Sequence, residues 1–122
     1  MPVSRTAWLL ALALWPGFET AASAQAAPPT LPPAGEGRRV FLKFNCYGCH
    51  GLAAGGGMGP NIVGAEAGDI SEVVMGGGEN GMPSFSRWLK TTDVNNLAAY
   101  LNSIGTPSEP KWTHWWEPNP KQ

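Results

Sequence analysis

The sequence has few charged residues and only two cysteines. Aspartate, glutamate, lysine and arginine make up 14% of the 122 residues, and the net charge is −1. A nucleic-acid-binding protein needs a basic face or stripe, so we expect no nucleic-acid partner. No segment shows the alternating pattern of a β-strand, and no internal repeat is present. The 16 glycines and 12 prolines favour a small protein rich in loops.

The first 24 residues have the pattern of a signal peptide. Arg5 precedes an apolar run from Ala7 to Trp15, and a small-x-small pattern ends at Ala24. We predict cleavage after Ala24, with cleavage after Ala26 or an uncleaved anchor as alternatives. The run is shorter than the roughly 20 residues that span a bilayer, and no later segment is long and apolar enough. The prediction is therefore a periplasmic protein with no stable membrane insertion after cleavage.

Composition divides the rest of the chain into three parts. Residues 25–34 are a proline-rich spacer, residues 35–107 are the predicted folded domain, and residues 108–122 are a tail. The tail holds Trp112, Trp115 and Trp116. Either these rings fold back over the domain or they dock a partner, because tryptophan is enriched at interface hot spots.

The domain is predicted to be all-α, with three main helices joined by glycine-rich loops. The first runs from about residue 35 to residue 45, with an apolar face at helical spacing and basic residues facing water. The apolar members are Val40, Phe41 and Phe44, and the basic ones are Arg38, Arg39 and Lys43.

Capping signals mark the other two helices. Asp69 is a candidate N-cap for a short helix that ends at the glycines 76–78. Thr91 or Thr92 is a candidate cap for a third helix that Gly105 stops. The apolar stripe of this third helix is Val94, Leu97, Ala98, Leu101 and Ile104.

Both cysteines lie in the segment Cys46-Tyr47-Gly48-Cys49-His50. Two thiols separated by two residues can reach two vinyl groups of one porphyrin, and the histidine that follows can bind the iron. This spacing is typical of covalent haem c attachment. The segment therefore predicts one haem c, held by Cys46 and Cys49, with His50 as an iron ligand.

Three other roles for the cysteines were considered. A structural zinc site usually needs four ligands, and the other histidine, His114, is far away in the tail. A thioredoxin-like pair needs alternating strands and helices. A disulfide between these cysteines would close a very small loop and constrain little.

A second iron ligand is predicted at Met82. It lies between a glycine run and Pro83, outside any helical stripe, although a flexible core filler is the alternative. Met58 is too close to His50 in the chain to reach the opposite haem face easily, and Met75 fits core packing better. His114 is a weaker candidate.

The chain resembles the class I c-type cytochromes. The resemblance covers residues 37–104 and rests on the Cys-x-x-Cys-His segment, on Gly-Pro-Asn at 59–61, on Met-Pro-x-Phe at 82–85 and on the helix at 93–101. It implies an all-helical fold wrapped round one haem. It also implies that Gly37 and Phe41 meet the last helix near Tyr100, and that the Pro60 carbonyl accepts a hydrogen bond from His50.

The expected function is one-electron transfer by a monomer that is not an enzyme. Histidine and methionine ligands raise the haem potential and leave no open iron position. The resemblance suggests a periplasmic quinoprotein dehydrogenase as donor and a terminal oxidase or another cytochrome as acceptor. The alternative is a peroxidase-like haem enzyme or ligand-binding protein in which Met82 is displaced.

Overall fold

Four α-helices and one short 3₁₀ turn form the described part of the chain. The computed structural model describes residues 30–111. The helices are α1 (Pro33–Lys43), α2 (Cys46–His50), α3 (Ala67–Gly76) and α4 (Thr91–Ser103), and the 3₁₀ turn is Glu79–Gly81. No β-strand occurs among residues 30–111, so the all-α prediction is confirmed, with α2 as an additional short helix. The predicted signal peptide, residues 25–29 of the spacer and tail residues 112–122 lie outside the described residues.

The core lies between α1 and α4, which pack directly on each other. Gly37 allows this close crossing, because a Cβ there would lie 1.8 Å from the Asn96 carbonyl oxygen. One turn further along α1, Phe41 packs its ring 5.4 Å from the ring of Tyr100. These contacts are those that the cytochrome resemblance implied. Burial raises the pKa of Tyr100 to about 12, a shift that Arg38 opposes and Glu109 reinforces.

Arg38 is fully buried, which makes the prediction that it faces water wrong. Residues after α4 return across α1, and the Arg38 Nη1 donates a hydrogen bond of 2.7 Å to the Pro110 carbonyl. A helical pattern alone could not reveal this contact, because its partner lies 72 residues away. By contrast, Arg39 pairs with Glu36 one turn earlier on the same helix, at 3.1 Å.

The helix starts differ from those expected. Helix α1 begins at Pro33, two residues before the predicted start, because proline suits the first helical turn. Helix α3 begins at Ala67, so Asp69 lies inside its first turn and is not the N-cap. Helix α4 begins at Thr91, and Lys90 is the N-cap residue in place of either threonine. The Asp93 carboxylate accepts the Lys90 N–H at 2.8 Å, which satisfies a donor at the start of α4.

Helix α4 presents its predicted stripe to the core. Val94, Leu97, Ala98 and Leu101 are buried, and Ile104 is half-buried just beyond the helix end. Gly105 follows with φ +78°, a conformation that suits glycine and stops the helix. Helix α3 packs on α4, and α2 packs on α1. Among residues 30–111, no helix is long and apolar enough to cross a membrane.

Candidate haem site

Helix α2 is a single short turn that follows α1 after a sharp change of direction. Asn45 makes that change in the left-handed conformation, at φ 57°, which asparagine tolerates better than most residues. The five residues of α2 are the cysteine-histidine segment itself. The two cysteines and His50 are therefore placed on one turn of helix.

The glycine-rich loop after α2 folds back and caps it. The N–H groups of Gly51, Gly56 and Gly59 donate to the carbonyls of Tyr47, His50 and Cys49, at 2.9, 2.7 and 2.9 Å. These are the carbonyls that a helix end leaves without intrahelical partners. Gly57 belongs to the same loop, and a Cβ there would lie 2.8 Å from the Cys49 carbonyl oxygen. The glycines thus let the loop backbone lie directly against α2.

His50 is buried and its ring is held from one side. Its Nδ1 lies 2.8 Å from the Pro60 carbonyl oxygen, which accepts the Nδ1–H of one tautomer. A Cβ at Gly59 would lie 2.8 Å from Cε1 of the same ring, so the loop backbone also lies close to the ring. This tautomer leaves Nε2 with the lone pair that a metal ion binds. The hydrogen bond that the resemblance implied is therefore present.

Both thiols of α2 are free. Cys49 is exposed, whereas burial raises the pKa of the half-buried Cys46 thiol to about 11. A backbone hydrogen bond lowers that pKa and the nearby Cys49 raises it. Within residues 30–111, no three histidine, cysteine or carboxylate side chains converge as ligands of one metal ion would. Neither thiol is therefore in a disulfide, and the geometry of the described residues does not favour a zinc cluster.

Met82 lies in a second segment, which is tied to the end of α3. The Val74 carbonyl accepts the Phe85 N–H at 2.7 Å, and the Met75 carbonyl accepts the Ser84 hydroxyl at 2.5 Å. A third bond, of 3.0 Å, joins the Gly78 N–H to the Met82 carbonyl. The Met82 segment thus satisfies two of the terminal carbonyls of α3 and is fixed in return.

The Met82 side chain is half-buried against the core. A Cβ at Gly78 would lie 3.0 Å from the Met82 Cβ and 3.5 Å from its sulfur, so the side chain runs along the glycines that end α3. The other methionines differ. Met58 is 88% exposed, and Met75 packs against the core. His114 lies outside the described residues.

The site residues therefore form two clusters, one on α2 and the loop after it and the other on the segment after α3. Cys46, Cys49, His50 and Pro60 lie together around α2, and Met82 lies with its anchor Ser84 at the end of α3. Sequence reasoning missed Ser84. Its only signal was a hydroxyl residue two positions after the methionine, next to a helix that needed a partner for its last carbonyls.

Comparison with known proteins places the chain in a family. A family model described as cytochrome c oxidase, cbb3-type, subunit III matches residues 32–101, more than half of the chain. The chain belongs to this family of c-type cytochromes. The matched residues include all of α1, α2 and α3 and most of α4, and membership implies haem c. No curated protein matches the chain significantly.

Several solved chains match this cytochrome, and one of them is similar to it over part of its length. It is cytochrome CL from the marine methylotrophic bacterium Methylophaga aminisulfidivorans MPT, at 22% identity and a TM-score of 0.48. The match covers 62% of this chain and 55% of that one, so this cytochrome spans about half the length of the solved protein.

The residues around α2 fit a haem c group. Two free thiols lie on one helical turn, and the neighbouring histidine has one ring nitrogen held by a carbonyl and the other available. Half-buried apolar side chains pack against the edge of the core and offer apolar surface of the kind that a large ring needs. They are Leu42, Phe44, Tyr47, Ile62, Met75 and Phe85.

Proposed function

We propose that this cytochrome is a periplasmic one-electron carrier with a single covalent haem c and His50 and Met82 as axial ligands. The observation that carries the proposal is the hydrogen bond between His50 Nδ1 and the Pro60 carbonyl, beside two free thiols on the same helix. A histidine oriented in this way is typical of a metal ligand, because the carbonyl selects the tautomer and fixes the ring.

Each residue has a defined part in this proposal. Cys46 and Cys49 hold the group through thioether bonds, and His50 presents Nε2 to the iron. Met82 supplies a thioether sulfur from the loop that Ser84 ties to α3. Haem c supplies one-electron oxidation and reduction of its iron, and a methionine ligand raises its potential relative to two nitrogen ligands. With both ligand positions filled by the chain, small molecules are excluded.

The proposed donor is a periplasmic dehydrogenase of the quinoprotein type, and the proposed acceptor is a terminal oxidase. The family description, which names an oxidase subunit, supports the acceptor. Contacts between electron-transfer proteins are small and transient, so we expect the cytochrome to be a monomer that meets each partner briefly.

Haem attachment is tested by expressing the full chain with the cytochrome maturation machinery and comparing it with Cys46→Ala and Cys49→Ala. Pyridine haemochrome spectra of the unfolded, acetone-extracted protein report haem that remains covalently bound. We expect one haem per chain, and a changed spectrum when one thioether is lost. Complete extraction of haem from the unmodified chain would contradict the proposal.

Axial ligation is tested by the near-infrared charge-transfer band of ferric haem with a methionine ligand. We expect Met82→Ala to abolish this band and to open the iron to cyanide. Met58→Ala is the matched control, because this methionine is exposed and should leave the band unchanged. A protein without the band, or one that binds cyanide rapidly before any substitution, would favour the peroxidase-like alternative.

Export and partners need separate measurements. The mass of the protein recovered from the periplasm should correspond to cleavage after Ala24 or Ala26, and recovery from the cytoplasm alone would contradict the localisation. Ferric cytochrome mixed with a reduced quinoprotein dehydrogenase should become reduced within milliseconds to seconds. No reduction on that timescale would count against this donor while leaving the electron-carrier proposal intact.

A further inference from the structure

Trp88 is unusually exposed for so large an apolar side chain. Its side chain is 61% exposed, whereas the smaller Leu89 beside it is 5% exposed. Both residues lie in a turn in which their N–H groups donate to the Phe85 carbonyl, at 2.9 and 3.0 Å. The turn thus buries the smaller side chain and holds the tryptophan at the surface.

A row of aromatic rings connects Trp88 with the start of the haem-attachment helix. The Trp88 and Phe85 rings are 6.4 Å apart, and the Phe85 and Phe44 rings are 5.9 Å apart, both in edge-on arrangements. Phe44 precedes Cys46 by two residues, and Phe85 follows Met82 by three. Trp88 is therefore the exposed end of an apolar row that adjoins both of the clusters described above.

Three basic side chains accompany this row. Lys43 places its Nζ 5.6 Å from the centre of the Phe44 ring, and Arg87 and Lys90 flank the Trp88 turn in sequence. All three are exposed, and within residues 30–111 none of them takes part in an ion pair. The nearby Asp93 is engaged with the Lys90 N–H. Exposed acidic residues occur instead on α3, at its N-cap and on the 3₁₀ turn, namely Asp69, Glu72, Glu66 and Glu79.

We propose that the Trp88 surface (Lys43, Phe44, Phe85, Arg87, Trp88 and Lys90) docks an acidic patch on a redox-partner protein. Tryptophan supplies a large rigid contact of the type found at interface hot spots, and the exposed basic side chains around it attract a negatively charged partner. Although the chain has a net charge of −1, this surface holds three of the four exposed basic side chains among residues 30–111. The proposal rests on the electron-carrier function, since it assigns the place where electrons enter or leave.

The test measures reduction of the ferric holoprotein by reduced flavodoxin, used as an acidic one-electron donor, in a stopped-flow instrument at several salt concentrations. Lys90→Glu is compared with Lys111→Glu, which makes the same change in net charge at another exposed lysine. We expect Lys90→Glu to slow the second-order rate about tenfold at low salt and to weaken its salt dependence. Lys111→Glu should change the rate by less than about twofold.

Trp88→Ala tests the apolar part of the surface. We expect a rate about three- to tenfold slower with an unchanged salt dependence, because an apolar contact is lost and no charge is altered. Reduction by neutral hydroquinone and the near-infrared band should stay unchanged in every variant. These two controls report on the haem and its ligands, so they would fail with the electron-carrier proposal and not with the docking proposal.

Two results would overturn the docking proposal. Equal slowing by Lys90→Glu and Lys111→Glu would mean that net charge alone governs the encounter. A dimer that dissociates on Trp88→Ala substitution, seen by sedimentation velocity, would identify a second copy of the chain as the occupant.

Discussion

Removal of the Ser84 hydroxyl should loosen the proposed Met82 ligand without unfolding the protein. Three hydrogen bonds hold the Met82 segment, and only the one from Ser84 to the Met75 carbonyl, 2.5 Å long, involves a side chain. Ser84→Ala therefore leaves the two backbone bonds of Gly78 and Phe85 in place. The segment should keep its position but release Met82 more often.

The size of the effect follows from the bond that is lost. A hydrogen bond of this kind contributes about 0.5–1.5 kcal/mol net, so the population with Met82 released should rise about 2- to 12-fold. An external ligand binds only that population, and its apparent dissociation constant falls by the same factor. Imidazole added to the ferric holoprotein should therefore bind about 2- to 12-fold more tightly to the variant.

The assay follows loss of the near-infrared methionine band during an imidazole titration. Ser86→Ala is the matched control, because this exposed serine contacts Ser84 but makes no bond to α3. Ser84→Thr retains a hydroxyl and should restore the original affinity. Equal imidazole affinity in Ser84→Ala and the unmodified protein, or an equal change in Ser86→Ala, would refute the reasoning.

Three further predictions concern stability and titration. Gly37→Ala should lower the free energy of unfolding, measured in urea, by about 3 kcal/mol, because its Cβ would lie 1.8 Å from a carbonyl oxygen of α4. An unchanged urea midpoint of unfolding would contradict the close crossing of α1 and α4. Tyr100, with its pKa raised to about 12, favours the folded state fully below its unfolded pKa of about 10 and loses this contribution as the pH rises to 12. In a Tyr47→Phe variant the remaining tyrosine should ionise near pH 12 by ultraviolet absorbance when folded, and near 10 in urea. Leu89→Ala should lower the free energy of unfolding by about 2–5 kcal/mol and Trp88→Ala by about 1 kcal/mol or less, although tryptophan is larger, because only the leucine is buried. The reverse order of destabilisation in urea unfolding would contradict the exposure of Trp88.

Local patterns identified the helices but not all of their ends. The apolar stripe of α4 follows from helical periodicity, and the end of the helix at Gly105 follows from the backbone conformation that glycine adopts. Both features are determined by residues that are neighbours in the chain. The starts of α3 and α4 were misplaced because Asp69, Thr91 and Thr92 are good caps by residue type, whereas the chain entering each helix sets the first turn. The assignment of Arg38 to solvent was wrong because its burial depends on Pro110, which lies 72 residues away in the chain.

The amino-acid sequence by itself determined the chemistry that this cytochrome offers. Two thiols and a histidine at this spacing predict haem c attachment, because all three side chains lie within five consecutive residues. Only the tertiary structure decided how the residues are held and presented. It joined Ser84 to Met75, and it exposed Trp88 while it buried Arg38. These outcomes depend on how the segment after α3 folds back on the end of that helix and on how the residues after α4 return across α1, which are contacts that helical periodicity and capping signals do not encode.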